Sequence, residues 1–241
     1  MLSVDRRNVS FSTAVRLDAL AKRLPRALRP SVSVTVPNLG TPLACRLGTS
    51  DIDVLNQIFV EKHYDSASLP ETASLVLDCG ANIGATTLWF ANRFPTARVV
   101  AVEPDPANAW LLARNVRTVA ERVSVVRGGV WSHSTRLDLR PGFDHRGWSV
   151  RVVEEQTGPI CAYDIPELLA MEGRREIDVL KMDIERAEEV VLRDCRAWIG
   201  MVKVLLVEFH GDRARTWAMQ SFEGILQEVE QRGEISVFAR V

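Results

Sequence analysis

The sequence predicts an α/β protein with a doubly wound, mostly parallel sheet, preceded by an N-terminal extension of one helix and a β-hairpin. Three observations carry this expectation. Val76-Leu77-Asp78-Cys79-Gly80-Ala81-Asn82-Ile83-Gly84 reads as an apolar strand running into a glycine-spaced turn, and Val99-Val100-Ala101-Val102 is a second apolar run closed by Glu103. From residue 74 onward, strand and helix patterns alternate at the spacing of such a sheet. Runs such as Val179-Leu180 and Val202 to Val207 are apolar on both faces, as parallel strands covered by helices must be.

Taken in order, Val15, Leu17, Leu20, Ala21 and Leu24 suggest an amphipathic helix with those residues facing the core, ended by Pro25 or Pro30. Val32, Val34 and Val36 alternate with polar residues, Asn38-Leu39-Gly40 is turn chemistry, and Leu43 to Leu47 resume the apolar pattern, which makes a hairpin. Residues 51–63 read as a helix capped by Ser50 or Asp51, with Val54, Ile58 and Phe59 inward. Strands follow near 75–79, 98–103 and 123–127, with helices near 83–94 and 106–119 between them. Residues 130–163 are less regular and suggest an edge hairpin or lid. Helix 164–172, strand 177–183, helix 186–198, strand 202–209, helix 214–232 and a single last strand at 234–240 complete the expectation. The chain divides into an extension or cap (1–72) and a ligand-binding domain (73–241).

With 241 residues, 46% hydrophobic and 25% charged, the chain has the composition of a globular protein with a sizeable core. No apolar run approaches the ~20 residues that span a bilayer, and MLSVDRRNVS lacks the apolar centre of a signal peptide, so the expected setting is cytoplasmic, without membrane contact. Cys45, Cys79, Cys161 and Cys195 lie far apart without CxxC spacing and read as reduced thiols. A net charge of -1 gives no global attraction to nucleic acid. Residues 1–30 nevertheless hold seven basic side chains against Asp5 and Asp18, either a solvated helix face or a surface for an anionic carrier protein or substrate.

The glycines of the Asp78–Gly84 loop allow a tight turn and close approach of backbone to a ligand, and Ala85 and Thr86 start a helix behind it. Dinucleotide sites use GxGxxG against a pyrophosphate; this loop has GxxxG preceded by an acid, which suits a ligand bearing an ammonium and a sulfonium better than one bearing phosphates. Glu103 closes the next strand, where an acid accepts both hydroxyls of an adenosine ribose, and Pro104 and Asp105 stop the strand there.

These residues resemble class I S-adenosylmethionine-dependent methyltransferases, a Rossmann-like fold, and more narrowly the FkbM-type family. Four pieces carry the resemblance: Tyr64 with Leu69; Leu77 to Thr87; Glu103-Pro104-Asp105-Pro106 with Asn115; and Ile177-Asp178-Val179-Leu180-Lys181-Met182-Asp183-Ile184-Glu185-Arg186-Ala187-Glu188. The resemblance implies S-adenosyl-L-methionine as cofactor, held by Tyr64, Asp78, Gly80, Asn82, Gly84, Thr86, Glu103, Pro104, Gly129 and Asp183. Three departures stand out. Arg186 replaces a usual glycine, which suggests altered backbone there; Arg127-Gly128-Gly129-Val130-Trp131-Ser132 differs from the usual pattern near the adenine; and the tail looks like one strand where the family has a hairpin.

Methyl transfer is an in-line displacement in which the enzyme chiefly aligns the partners, and a hydroxyl acceptor also needs its proton removed. Lys181, Asp183 and Glu185 follow one strand, Glu208 and His210 another. His210 suits a general base by its usual pKa, with Asp183 as rival; orienting the substrate or a purely structural role are its alternatives. Lys181, Glu185, Glu208 and Trp131 are candidates for substrate binding, and Lys181 for pairing with Asp183, Glu185 or Glu208. Asp183, Glu185 and Glu208 have the spacing of a Mg²⁺ site, against which Lys181 competes, so no metal is expected. Trp131, Phe143, His145 and Trp148 suggest an aromatic lid or plain packing.

The expected function is O-methylation of a small hydroxylated molecule, a secondary metabolite or sugar, without nucleic acid, and with a carrier protein or a second copy as partner. The rivals are a catalytically silent adenosyl-binding module and an NAD-dependent oxidoreductase.

Overall fold

Leu75, Leu77 and Cys79 point to one side of their strand and Val76 to the other, and both sides are fully buried. That two-sided burial sets the architecture: helices and smaller sheets cover both faces of a central sheet. The computed structural model describes residues 8–37, 39–141 and 150–241.

The chain opens with β1 (Asn8–Ser10), α1 (Phe11–Ala21), β2 (Ser31–Thr35), β3 (Leu43–Arg46) and α2 (Asp51–Phe59). Strands β2 and β3 form the expected antiparallel hairpin, and β1, which the sequence did not announce, adds parallel to β2. The wound core follows: β4 (Leu75–Cys79), α3 (Ala85–Arg93), β5 (Arg98–Glu103), α4 (Pro106–Asn115) and β6 (Val123–Arg127). Four strands then form a second sheet, β7 (Gly129–Val130), β8 (Thr135–Pro141), β9 (Val150–Glu154) and β10 (Ile160–Tyr163), in the order β7-β10-β8-β9. The remainder is α5 (Ile165–Met171), β11 (Ile177–Met182), α6 (Glu188–Val191), β12 (Val202–Glu208), α7 (Asp212–Phe222), β13 (Leu226–Arg232) and β14 (Ile235–Arg240).

The seven-stranded sheet has the order β13-β14-β12-β11-β4-β5-β6. Strands β6, β5, β4, β11 and β12 are parallel, and β14 and β13 continue antiparallel. The chain winds outward from β4 through β5 to β6, then returns to place β11 on the other side of β4. Between β4 and β11 the winding reverses, and a crevice opens beyond the carboxyl ends of the strands at such a point.

Several expectations are corrected. Helix α1 turns Ala14, Asp18 and Ala21 inward and leaves Val15, Leu20 and Leu24 exposed, because buried Asp18 accepts the Gly48 N–H at 2.6 Å and pairs with Lys22 at 2.9 Å. The helix expected over 186–198 shrinks to α6 and a short 3-10 turn, since Glu185 and Arg186 enter it with positive φ. The helix expected over 214–232 ends at Phe222; Gly224, at φ +71°, turns the chain, and the alternation in Leu226–Arg232 pairs β13 with β14. The tail is therefore a hairpin, as in the family pattern, and not one strand. Phe143, His145 and Trp148 lie outside the described residues. Trp131 is buried in the core. The four cysteines are free thiols, and no helix among the described residues is long and apolar enough to cross a membrane.

The N-terminal layer and the wound core share one buried cluster, in which Val34, Leu43 and Leu55 join Val76, Phe90 and Val99. Asn115, at the end of α4, stitches them together. Its side chain accepts the Ala44 N–H at 2.8 Å and donates to the Ala44 carbonyl at 3.1 Å and the Ile83 carbonyl at 2.8 Å, all away from water. Asn115→Ala leaves these backbone groups unpaired and is expected to cost about 2–3 kcal/mol, read as a lower urea midpoint with an unchanged slope.

Candidate functional site

Beyond Cys79 the chain must turn sharply to enter α3, and Gly80, Asn82 and Gly84 all take positive φ to do so. At Gly80 the requirement is absolute: a Cβ there would lie 1.7 Å from the Asp183 carbonyl oxygen. The loop packs that closely against the end of β11.

Asp78 lies beneath the loop, fully buried. Its Oδ2 accepts from the hydroxyls of Thr86 at 2.9 Å and Thr87 at 2.6 Å, and its Oδ1 faces Lys181 Nζ at 3.4 Å. Lys181, 2% exposed, donates to the carbonyls of Gly80 at 2.6 Å and Cys79 at 3.3 Å and lies 3.6 Å from Asp183. Burial opposes its charge, but Asp183 and Asp78 outweigh burial and hold its pKa above the usual lysine range.

A cavity of about 400 Å³ opens above the loop. It is lined by Gly80, Asn82, Glu103 and Pro104, by Gly128, Gly129 and Val130, and by Asp183 and Glu185 beyond β11. Glu103 is almost wholly buried; its Oε2 accepts the Asn82 N–H at 2.8 Å and its Oε1 the Asp105 N–H at 2.9 Å. Burial outweighs these bonds and pushes the carboxyl up to about 7. Asn82 Oδ1 is buried in the cavity wall without a hydrogen-bond partner.

At the ends of β11 and β12 one imidazole meets four carboxylates. His210 Nδ1 lies 3.2 Å from Glu188, and Nε2 lies 3.3 Å from Glu208 and 3.9 Å from both Asp183 and Glu185. Burial favours the neutral ring, but the bonds to Glu188 and Glu208 and the charge of the cluster prevail and raise His210 to about 11. Burial also pushes Glu185 up to about 7, against the pull of His210, and raises Glu208.

A model of the methyltransferase FkbM domain matches residues 78–235. The chain belongs to the FkbM methyltransferase family. It is 29% identical over 204 residues to Methyltransferase 1 of Beauveria bassiana, covering 73% of this chain and 81% of that one. It is 28% identical over 191 residues to methyltransferase sdnD of Sordaria araneosa, covering 64% and 73%. The crystal structure of methyltransferase FkbM from Methylobacillus flagellatus superposes with a TM-score of 0.51 at 16% identity, over 95% of this chain and 60% of that one, a likeness of fold.

Within this methyltransferase, the residues named from sequence fall into two groups. Gly80, Asn82, Glu103, Pro104, Gly129, Asp183 and Glu185 meet at the cavity. Asp78, Thr86 and Lys181 do not reach it: they form the buried scaffold under the loop. Gly84 is a packing position, where a Cβ would come 2.6 Å from Leu112, and Tyr64 is buried edge-on to Phe90, with burial holding its hydroxyl above the usual tyrosine range. Trp131 lies outside the lining. His210 lies outside the cavity lining, within the cluster of carboxylates that raises its ring above the ordinary imidazole range.

Sequence reasoning missed the walls supplied from elsewhere. Arg46 of β3, paired with Asp51 at 2.8 Å and bonded to Asn108 at 2.7 Å, closes one side together with Thr49 and Ser50, while Leu139 of β8 and Val152 of β9 supply an apolar side. A lone arginine in a hairpin carries no local signal. Asn108 carried a faint one, lying one helical turn after the Asp105 cap.

Arg186 keeps φ at +77° and Glu185 at +53°. The backbone thus holds both residues in the left-handed region that glycine favours, where their side chains are strained. Arg186→Gly is expected to raise stability by about 1 kcal/mol, seen as a higher unfolding midpoint.

Proposed function

We propose that the protein transfers a methyl group from S-adenosyl-L-methionine to a hydroxyl of a small molecule. The carrying observation is the cavity at the strand switch, lined by Gly80, Asn82, Glu103, Asp183 and Glu185, whose size suits a nucleoside and an acceptor. Two features of the wall fit the adenosyl group. Glu103 spends one lone pair of Oε2 on the Asn82 N–H and keeps another for a ribose hydroxyl, and the Asn82 backbone beside it lets the ligand approach closely. Gly128, Gly129, Val130, Leu139 and Val152 offer an apolar slot suited to the base.

When bound, the cofactor supplies an electrophilic methyl on a sulfonium, which leaves as a neutral thioether holding the electron pair of the broken C–S bond. The chain's own contribution is alignment and proton removal. Asp183 and Glu185 face the cavity from the strand end and are placed to take the acceptor proton as the new C–O bond forms. His210 holds these carboxylates in place from behind. A carrier protein presenting the acceptor is compatible with the seven basic residues among positions 1–30 of the sequence, and a free small molecule needs only the cavity.

Calorimetric titration with S-adenosylhomocysteine, with NAD as control, tests the cofactor, and transfer of labelled methyl to hydroxylated acceptors tests the reaction. Micromolar binding of the first ligand alone is expected; binding of NAD alone sinks the reading, and labelled product on nitrogen instead of oxygen sinks its O-methyl part.

Ribose hydroxyls donate more strongly to ionised than to protonated Glu103, whose free-state pKa of about 7 makes binding release a proton. Affinity is therefore expected to rise between pH 6 and 8 and level off above. Glu103→Gln is expected to weaken binding by at least about tenfold and to flatten that profile. A profile that stays as steep in the variant assigns the titration elsewhere.

A further inference from the structure

We propose that Asp183, Glu188 and His210 form a binding site for one first-row divalent cation at the acceptor end of the cavity. The inference deepens the methyl-transfer reading, on which the cation's use rests, although its binding does not.

The geometry comes first. One ligand atom from each of the three residues lies within 4.8 Å of the other two, close to the spread of donors around a single ion. The chain positions them from different elements: Asp183 just beyond β11, Glu188 at the start of α6 and His210 two residues beyond β12. Lys181 faces Asp183 Oδ2 at 3.6 Å, while Oδ1 of the same carboxylate faces His210.

Glu188 supplies a second, independent observation. It is fully buried, its Oε1 accepts the Ile184 N–H at 2.7 Å and faces His210 Nδ1, and its Oε2 is buried with no hydrogen-bond partner. A buried anionic oxygen without a donor is costly, and a cation is the partner that relieves it. The surroundings demand the same sign of charge: Glu185 and Glu208 add two more carboxylates around the one ring.

The donor chemistry narrows the ion. An imidazole nitrogen with carboxylate oxygens suits Mn²⁺, Fe²⁺ or Zn²⁺, whereas Mg²⁺ and Ca²⁺ prefer oxygen alone. The cation would take the place of the ring proton and, because Asp183 also lines the cavity, would stand within reach of an acceptor oxygen and make its hydroxyl more acidic.

The test is a Mn²⁺ titration of the full-length, chelator-treated protein, followed by loss of the free-ion electron paramagnetic resonance signal, in parallel with S-adenosylhomocysteine calorimetry. About one equivalent is expected to bind at micromolar concentration and to resist excess Mg²⁺. Glu188→Gln and His210→Gln should each weaken Mn²⁺ by at least about tenfold, and Glu188→Gln should leave S-adenosylhomocysteine affinity unchanged. If Glu188→Gln does not fold, His210→Gln, at a partly exposed position, carries the comparison. Absence of binding below millimolar Mn²⁺, equal binding by parent and variants, or ready displacement by Mg²⁺ overturns the site. Nucleoside binding without Mn²⁺ binding removes this inference and spares the proposed function; the reverse result does the opposite.

Discussion

One buried cation holds the crevice together. Lys181 sits at the end of β11 where the winding of the sheet reverses, and its ammonium ties the Gly80 carbonyl, the Cys79 carbonyl and Asp78 to the strand that carries Asp183. Burying a lysine is expensive unless its charge and its donors are all answered, and here two carboxylates and two carbonyls answer them. The result is a turn whose backbone lies so close to β11 that Gly80 has no room for a Cβ. The cavity exists because this contact fixes its floor.

Electrostatics divide the cavity into two ends. Around Glu103 the carboxylate is surrounded by N–H donors and one apolar wall, a setting for a ribose and a base. Around His210 the carboxylates crowd together, and their mutual repulsion is contained by a protonated ring and by Lys181 at the edge. Concentrating carboxylates at one end favours cationic groups and the acceptance of protons there. The strained backbone at Glu185 and Arg186 holds one of those carboxylates toward the cavity.

Much of this was legible along the chain. The strands from β4 to β6, β11 and β12 declared themselves because continuous apolar runs between turn signals have few alternatives, and Asp78 to Gly84 with Glu103 marked where the crevice lies. Where the reading failed, a long-range contact had overruled a local pattern. Helix α1 shows it most plainly: Val15 and Leu20 are better core residues by composition than Asp18, yet the hydrogen bond from Gly48 to Asp18 turns them to the surface. Strand β13 was taken for helix because charged residues in Gln-Glu-Val-Glu-Gln-Arg suit either element, and only pairing with β14 decided between them.

The sequence by itself determined the class of fold, the place of the glycine-spaced loop and the acid that closes β5, since periodicity, glycine spacing and strand-end chemistry act over a few residues. Tertiary structure alone decided which acids face a ligand. Asp78 and Glu103 both end their strands as buried carboxylates, but Asp78 is consumed by Thr86, Thr87 and Lys181 while Glu103 opens onto the cavity. It also decided the state of His210, because the charge of an imidazole follows the carboxylates packed around it, and these arrive from Asp183, Glu185, Glu188 and Glu208, residues on separate stretches of chain that meet only when β11 and β12 lie side by side.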